Sequence, residues 1–343
     1  RNNLKFSNNK QKIKVKDMEK KDLRIIFMGT PEFAVETLQA LVEGGYNVVA
    51  VVTQPDKPVG RHQDTLQAPA VKQYALSKGL PVLQPVKMKD PLFIEELKKY
   101  NADIQVVVAF RMLPEVVWNM PKYGTFNVHA ALLPQYRGAA PINWAVINGE
   151  KQTGVTTFFL DHDIDTGRII MQEPFEIKED YNAEDVYNGL MHLGAGIAIK
   201  TIDKIIEGNG HVDSMPQEEM IKTGEEMHNA PKIFKETCFI NWEQTANSLY
   251  DFIRGMAPYP GAWTNMTDKN GKKNVLKIFK STKTMIPCNG KKEGTIMVFN
   301  GKFLVATKNA WLQLDEIQLS GKKRMNANMF LNGFRNIEEY TLG

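Results

Sequence analysis

Residues 24–53 constrain the fold more than any other stretch. Arg24-Ile25-Ile26-Phe27-Met28 reads as a short buried strand that runs into Gly29-Thr30-Pro31. Pro31 suits a first helical turn, where its missing N–H would have no partner, and Glu32 meets the positive end of the helix dipole. The helix pattern reaches Val42 and closes at Gly44-Gly45, and a second apolar run follows over 47–53. Strand, turn, helix and strand in that order predict a parallel βαβ unit. Residues 104–109 read as a further central strand. Strands buried on both faces need helices on both faces, so the predicted class is α/β with a Rossmann-like parallel sheet. The first turn lacks the three-glycine dinucleotide fingerprint, so no nicotinamide cofactor is expected.

A chain of 343 residues is long for one domain, and two are expected. Residues 1–17 are polar and basic and cannot build a core, so a disordered leader is predicted over 1–22, with Met18 as the native start. The first domain is predicted over 23–207. Within it, helices are read at 70–78, 94–100 and 183–206, and strands at 155–160 and 169–175. The stretch 54–69 is a long, Pro-rich polar loop. Residues 208–231 are polar and irregular and form the expected linker. Beyond them, over 232–343, comes one helix (247–254). It is followed by short alternating segments at 276–279, 294–299, 303–307 and 312–317. Asp268-Lys269-Asn270-Gly271 and Asn300-Gly301 read as hairpin turns. Several short strands with one helix suit a small OB-like barrel, a fold that often binds oligonucleotides.

Charge points the same way. Net charge is only +4, but residues 271–325 hold twelve Lys or Arg against three acids, a local +9. The rest of the chain is therefore acidic, and a polyanionic partner is expected at the basic segment. The paired lysines Lys272-Lys273 and Lys322-Lys323 stand in turns, where point charges can meet phosphate. No apolar run approaches the roughly 18 residues of a membrane span, and no His/Cys pattern implies a metal. Cys238 and Cys288 are the only cysteines. Two in so long a chain are expected free and reduced, as in a cytoplasm.

The groups able to do chemistry gather in residues 127–167. Asn127 and His129 are two apart, so on an extended strand end they face the same way. Gly138, Ala139, Ala140 and Pro141 let a backbone approach a ligand. The strand at 155–160 delivers a loop carrying Asp161, Asp163 and Asp165, and in parallel sheets ligands bind beyond the carboxyl ends of strands. On residue types alone the Asn-x-His pair is weak, and any of the three aspartates can form an Asx turn.

Three longer runs add specificity: Phe-Met-Gly-Thr-Pro-Glu-Phe-Ala at 27–34, Thr-Gln-Pro-Asp-Lys-Pro-Val-Gly-Arg at 53–61, and Leu-Leu-Pro-Gln-Tyr-Arg-Gly-Ala-Ala-Pro-Ile at 132–142. With Asn-x-His and Asp-Thr-Gly in this order, the chain resembles the folate-dependent formyltransferases over nearly everything after Leu23. The resemblance implies Asn127, His129 and Asp165 as catalytic residues and 10-formyltetrahydrofolate as co-substrate, with no metal. It assigns Arg111, Met112, Leu113, Ala131, Leu132, Leu133, Pro134, Asp161 and Asp163 to the folate. It assigns Arg137, Gly138, Ala139, Ala140 and Pro141 to the pocket of the accepting group. Arg61 is placed on a mobile loop that closes over a tRNA acceptor end. For members with a basic second domain, the acceptor is initiator methionyl-tRNA and the expected enzyme is a cytoplasmic monomer. The alternatives are transfer to an amino-sugar nucleotide and a non-catalytic RNA- or folate-binding protein. The sequence departs from the family at Arg111 (often Gly), at Ala131 (usually Ser), and at His62-Gln63-Asp64, where basic residues commonly stand.

Overall fold

The computed structural model describes residues 15–343. The disorder expected at the start of the leader falls on residues 1–14, outside the described residues. The chain is already tied down ahead of Leu23: the Met18 N–H donates to Asn209 Oδ1 at 2.9 Å, and Lys20 Nζ donates to the Gly44 carbonyl at 2.8 Å.

β1 (Ile25–Gly29), α1 (Glu32–Glu43) and β2 (Val48–Val52) form the predicted parallel βαβ unit. Gly29 is there because a Cβ would lie 2.7 Å from Ala34 Cβ and 2.8 Å from the Val108 carbonyl. The polar stretch after β2 is an exposed antiparallel hairpin of β3 (Lys57–Val59) and β4 (Thr65–Gln67), too short and too polar to show a strand period. There follow α2 (Ala70–Ser77), β5 (Val82–Leu83), α3 (Pro91–Lys99), β6 (Ile104–Val108), α4 (Glu115–Trp118) and β7 (Thr125–His129). α3 starts earlier than its periodicity predicts because Asp90 caps it, accepting from the Leu92 N–H at 3.0 Å. β8 (Arg137–Gly138), α5 (Pro141–Ile147), β9 (Gln152–Phe159), β10 (Ile169–Glu176) and α6 (Ala183–Glu207) complete the first domain. α6 opens on a capping box between Asn182 and Asp185 and closes at Gly208.

The seven-stranded sheet has the order β10-β9-β7-β6-β1-β2-β5. β7, β6, β1, β2 and β5 are mutually parallel, as expected. β9 is not: it runs antiparallel to β7 and β10, with Phe159 beside Phe126 and Thr156 beside His129. This corrects the expectation that the aspartate loop leaves a carboxyl edge of the parallel sheet. The end of β9 lies next to the start of β7, so residues 160–168 must come back along β7. α1 and α6 cover one face, where Leu38, Phe126, Val128 and Ile197 pack together. α3 and α4 cover the other with Met28, Phe93, Leu97 and Val107. Alternation along β7 then aims Asn127 and His129 at this second face.

Residues 208–231 join the two halves and are also laid across the first. Among them β11 (Asn229–Ala230) pairs in parallel with β8. The second domain holds α7 (Ala246–Met256), β12 (Ala262–Thr267), β13 (Lys273–Pro287), β14 (Ile296–Phe299), β15 (Lys302–Ala306), β16 (Ala310–Leu319), β17 (Met325–Asn326), α8 (Ala327–Gly333) and β18 (Thr341–Leu342). The strand expected at 276–279 is one part of the 15-residue β13. Its register slips three times against β16, which lets one strand bend around a barrel. The sheet order is β14-β15-β16-β13-β12-β18. A bridge from Thr341 to Thr295 and a 2.9 Å bond from the Leu342 N–H to the Gly294 carbonyl bring its last strand back to its first. Asn300 and Gly301 adopt φ of 49° and 70° in the expected two-residue turn between β14 and β15. Leu249, Ile253 and Met256 of α7 pack into the barrel core. The same helix docks on α5. A Cβ at Gly255 would lie 2.5 Å from Ile147 Cγ1, and Asn143 Nδ2 donates to the Gly255 carbonyl at 2.9 Å.

Candidate active site

A cleft of about 820 Å³ opens beyond the carboxyl ends of β6 and β7. Ala109, Phe110, Met112, Leu113 and Trp118 make an apolar wall, Gly138 to Asn143 a second wall, and Leu160 to Asp165 a third. Asn127 and His129 lie between them.

His129 is 6% exposed, and its Nε2 lies 2.9 Å from the Tyr136 carbonyl. A carbonyl only accepts, so Nε2 carries a hydrogen, and Nδ1 is the ring nitrogen that faces Asp165. Asp165 Oδ2 lies 3.8 Å from that Nδ1 and accepts from the Gly138 N–H at 2.9 Å. A proton arriving at Nδ1 would therefore stand beside a carboxylate whose position is fixed. Asn127 Oδ1 is buried without a partner. An orphaned buried acceptor costs about 1–3 kcal/mol, which a ligand that donates to it would relieve.

The structure brings together Asn127, His129, Asp165, Asp161, Asp163, Arg111, Met112, Leu113, Gly138, Ala139, Ala140 and Pro141, all of which line the cleft. Asp161 organises its loop by accepting from the Asp163 N–H at 3.1 Å and from Thr166 Oγ1 at 2.9 Å. Arg111 is bound to the carbonyls of Pro85 and Val86. It braces the wall from behind, and burial pulls its guanidinium below the ordinary arginine range. Its large side chain is thus absorbed by the scaffold rather than offered to a ligand.

Other expected contacts fall elsewhere. Ala131, Leu132, Leu133 and Pro134 do not line the cleft. Leu133 is buried with Phe158 and Ile169, and Thr156 Oγ1 bonds to both the Ala131 carbonyl and the Leu133 N–H. Reversal of β9 puts Thr156 under this turn, where its hydroxyl serves the backbone of Ala131 and Leu133. Arg137 also points away, its guanidinium donating to Gln217 Oε1 at 2.8 and 3.1 Å. Arg61 is exposed in the turn between β3 and β4. Lys272, Lys273, Lys322 and Lys323 are exposed on the barrel. They share one end of it, since the Ser320 N–H bonds the Val275 carbonyl. Sequence reasoning missed Trp118, Tyr187 and Asn143 in the cleft walls. It also missed Gln217, which is fully buried in a polar stretch and carries no pattern that could reveal it. Cys238 and Cys288 are buried and free, and burial pushes both thiols up.

A Rossmann-like sheet with this polar set in its cleft, followed by a β-barrel, defines a formyl-group transferase. The family model described as formyl transferase matches residues 23–202, and the formyl transferase C-terminal domain matches 232–335. The chain is 57% identical to the methionyl-tRNA formyltransferase of Parabacteroides distasonis, over 95% of this chain and 100% of that one. It belongs to the methionyl-tRNA formyltransferase family. Among solved structures it resembles WlaRD, a sugar 3N-formyl transferase crystallised in the presence of dTDP and 5-N-formyl-THF. That match has a TM-score of 0.60 at 20% identity, over 88% of this chain and 99% of that one. It also resembles HypX from Aquifex aeolicus in complex with tetrahydrofolic acid, with a TM-score of 0.58 at 16% identity, over 92% of this chain. This chain spans 48% of HypX. Both likenesses are of fold alone.

Proposed function

We propose that this chain transfers the formyl group of 10-formyltetrahydrofolate to the amino group of methionyl-initiator-tRNA. The observation that carries this reading is the 57% identity to a methionyl-tRNA formyltransferase along nearly the whole of both chains. In the reaction the amine lone pair attacks the formyl carbon and the carbonyl electrons move onto oxygen. The carbon–nitrogen bond to the folate then breaks, and the folate nitrogen leaves with a proton. The site has to hold two reactants, stabilise an oxyanion and move a proton.

Asn127 donates its amide N–H to the oxyanion. His129 takes the amine proton on Nδ1, because its Nε2–H is committed to the Tyr136 carbonyl. Asp165, held by the Gly138 N–H, stabilises the imidazolium so formed. The folate lies against Phe110, Met112 and Leu113, with Asp161 and Asp163 at its rim. The aminoacyl end enters along Gly138 to Pro141. Arg61 reaches phosphate or ribose of the acceptor end from its hairpin, and the barrel lysines hold the tRNA body. Among the described residues no helix is long and apolar enough to cross a membrane. The reading places a monomer in the cytoplasm, where charged tRNA is found.

The test is direct. The protein is incubated with 10-formyltetrahydrofolate and, in parallel, with methionyl-initiator-tRNA or an amino-sugar nucleotide. Formylmethionine on the tRNA is the expected product. Formylation of the sugar alone would overturn the reading.

A further inference from the structure

Asp165 is the one residue of the proposed trio that no strand holds. It adopts φ of 56°, in the left-handed region, where a side chain costs about 1–3 kcal/mol unless its surroundings impose it. Its loop is fixed at the start by Asp161. At the far end it is fixed by a side chain that belongs to neither domain's core. Gln217 lies in a short turn of residues 208–231 and is fully buried, although most of that segment is exposed. Its Nε2 donates to the carbonyls of Asp165 and Gly167, both at 2.8 Å. Its Oε1 accepts from Arg137 Nε at 3.1 Å and Nη2 at 2.8 Å. Both amide hydrogens and the oxygen are used. The reversed amide would set oxygen against two carbonyls, so the partners fix its orientation.

The two ends of this bridge meet again at the carboxylate. Arg137 immediately precedes Gly138, whose N–H donates to Asp165 Oδ2. Neighbouring contacts seat the same segment: Met215 bridges to Ile169, and Ala230 pairs with Gly138 so closely that a Cβ there would lie 2.4 Å from the Ala230 carbonyl. We infer that Gln217 is a positioning residue for formyl transfer, setting the Asp165 carboxylate against His129 by tying the Asp165 turn to Arg137. The segment between the domains thus completes the active site. This inference rests on the reading of Asp165 given above.

Gln217→Met removes all four bonds at similar length, and Gln217→Glu keeps the acceptor for Arg137 while removing the donors. Both variants should lower kcat by about 10-fold to 100-fold, the scale of a small misplacement, with the folate KM within about twofold of wild type. In an Asp165→Ala background neither should lower kcat further by more than about twofold, because residues acting as a unit are not additive. Effects that multiply in that background, an unchanged kcat, or a rise in KM alone would overturn the inference. Amide exchange at Gly138 gives a readout independent of any substrate. It should be at least about tenfold faster in both variants while their melting temperatures stay close to wild type. Unchanged protection there would overturn the inference. Lack of tRNA formylation by the wild type would instead remove the functional reading and leave this measurement standing.

Discussion

The cleft and the basic end of the barrel solve opposite problems. In the cleft, His129, Asp165 and Gly138 are joined by contacts at 2.9–3.8 Å, and His129 is 6% exposed. On the barrel, Lys272, Lys322 and Lys323 are exposed in connecting loops and Lys273 is exposed at the start of β13. Of these, Lys322 lies over the rings of Phe330 and Phe334 at 5.9 and 5.6 Å. A reaction depends on the placement of single atoms, so its site should fail abruptly. Attraction of a polyanion depends on a sum of charges, so that surface should fail by degrees.

The sharpest break should come from the cleft. His129→Ala and Asp165→Ala should each lower kcat by about 10²-fold or more, the usual scale for proton transfer and oxyanion groups, with little change in folate binding. Steady-state kinetics decide it, and near-wild-type turnover would remove that residue from the mechanism. A chain ending near Glu207 comes next. Without the +9 segment it should lose most of its tRNA affinity while retaining folate, as read by filter binding and equilibrium dialysis. Undiminished tRNA binding would return the barrel to a solubilising role.

Neutralising Lys272, Lys273, Lys322 and Lys323 together should act by degrees. Each lost phosphate contact should flatten the log–log salt dependence of binding by about 0.9 on duplex. An unchanged slope and affinity would show that these four lysines touch no phosphate. Arg61→Ala should give the smallest effect, a few-fold rise in KM for charged tRNA with the folate KM unmoved. Because His62-Gln63-Asp64 supplies no second arginine or lysine at the tip of the hairpin, the effect should come from Arg61 itself. Equal effects on both substrates would make the hairpin only a lid.

The same contrast explains what was legible in the sequence. β1, α1, β2 and α6 were readable because burial imposes a period, and the barrel's basic segment because charge is a count. The direction of β9 was not, since Val155 to Phe159 look the same in a parallel or an antiparallel neighbour. Ala131 to Pro134 were expected against the folate through resemblance alone, and nothing in their own pattern shows that Ala131 and Leu133 bond to Thr156 of β9. Asn127, His129 and Asp165 were reached through resemblance, and their spacing alone left Asp161 and Asp163 as equals. Gln217 was beyond reach, since a lone glutamine in a polar run shows its burial only after the chain has folded over it.

The strand order has a further consequence. In β10-β9-β7-β6 and in β1-β2-β5, neighbours are also close along the chain. The two groups meet at one seam, β1 with β6, where Ile25 faces Ile104. Closing that seam means joining segments far apart in sequence, the slow and entropically costly step of assembling such a sheet. The cleft straddles it: Pro31, Phe33 and Gln54 come from one side, and Val107, Ala109 and Asn127 from the other. A folate that extends from Phe110 and Leu113 as far as Phe33 and Gln54 would be a staple across the seam, and its binding energy would add to the cohesion of the sheet. Amide exchange in β1 and β6 should slow on adding the folate more than exchange in β14 and β15. Equal slowing in both places would mean that the sheet does not open along this line.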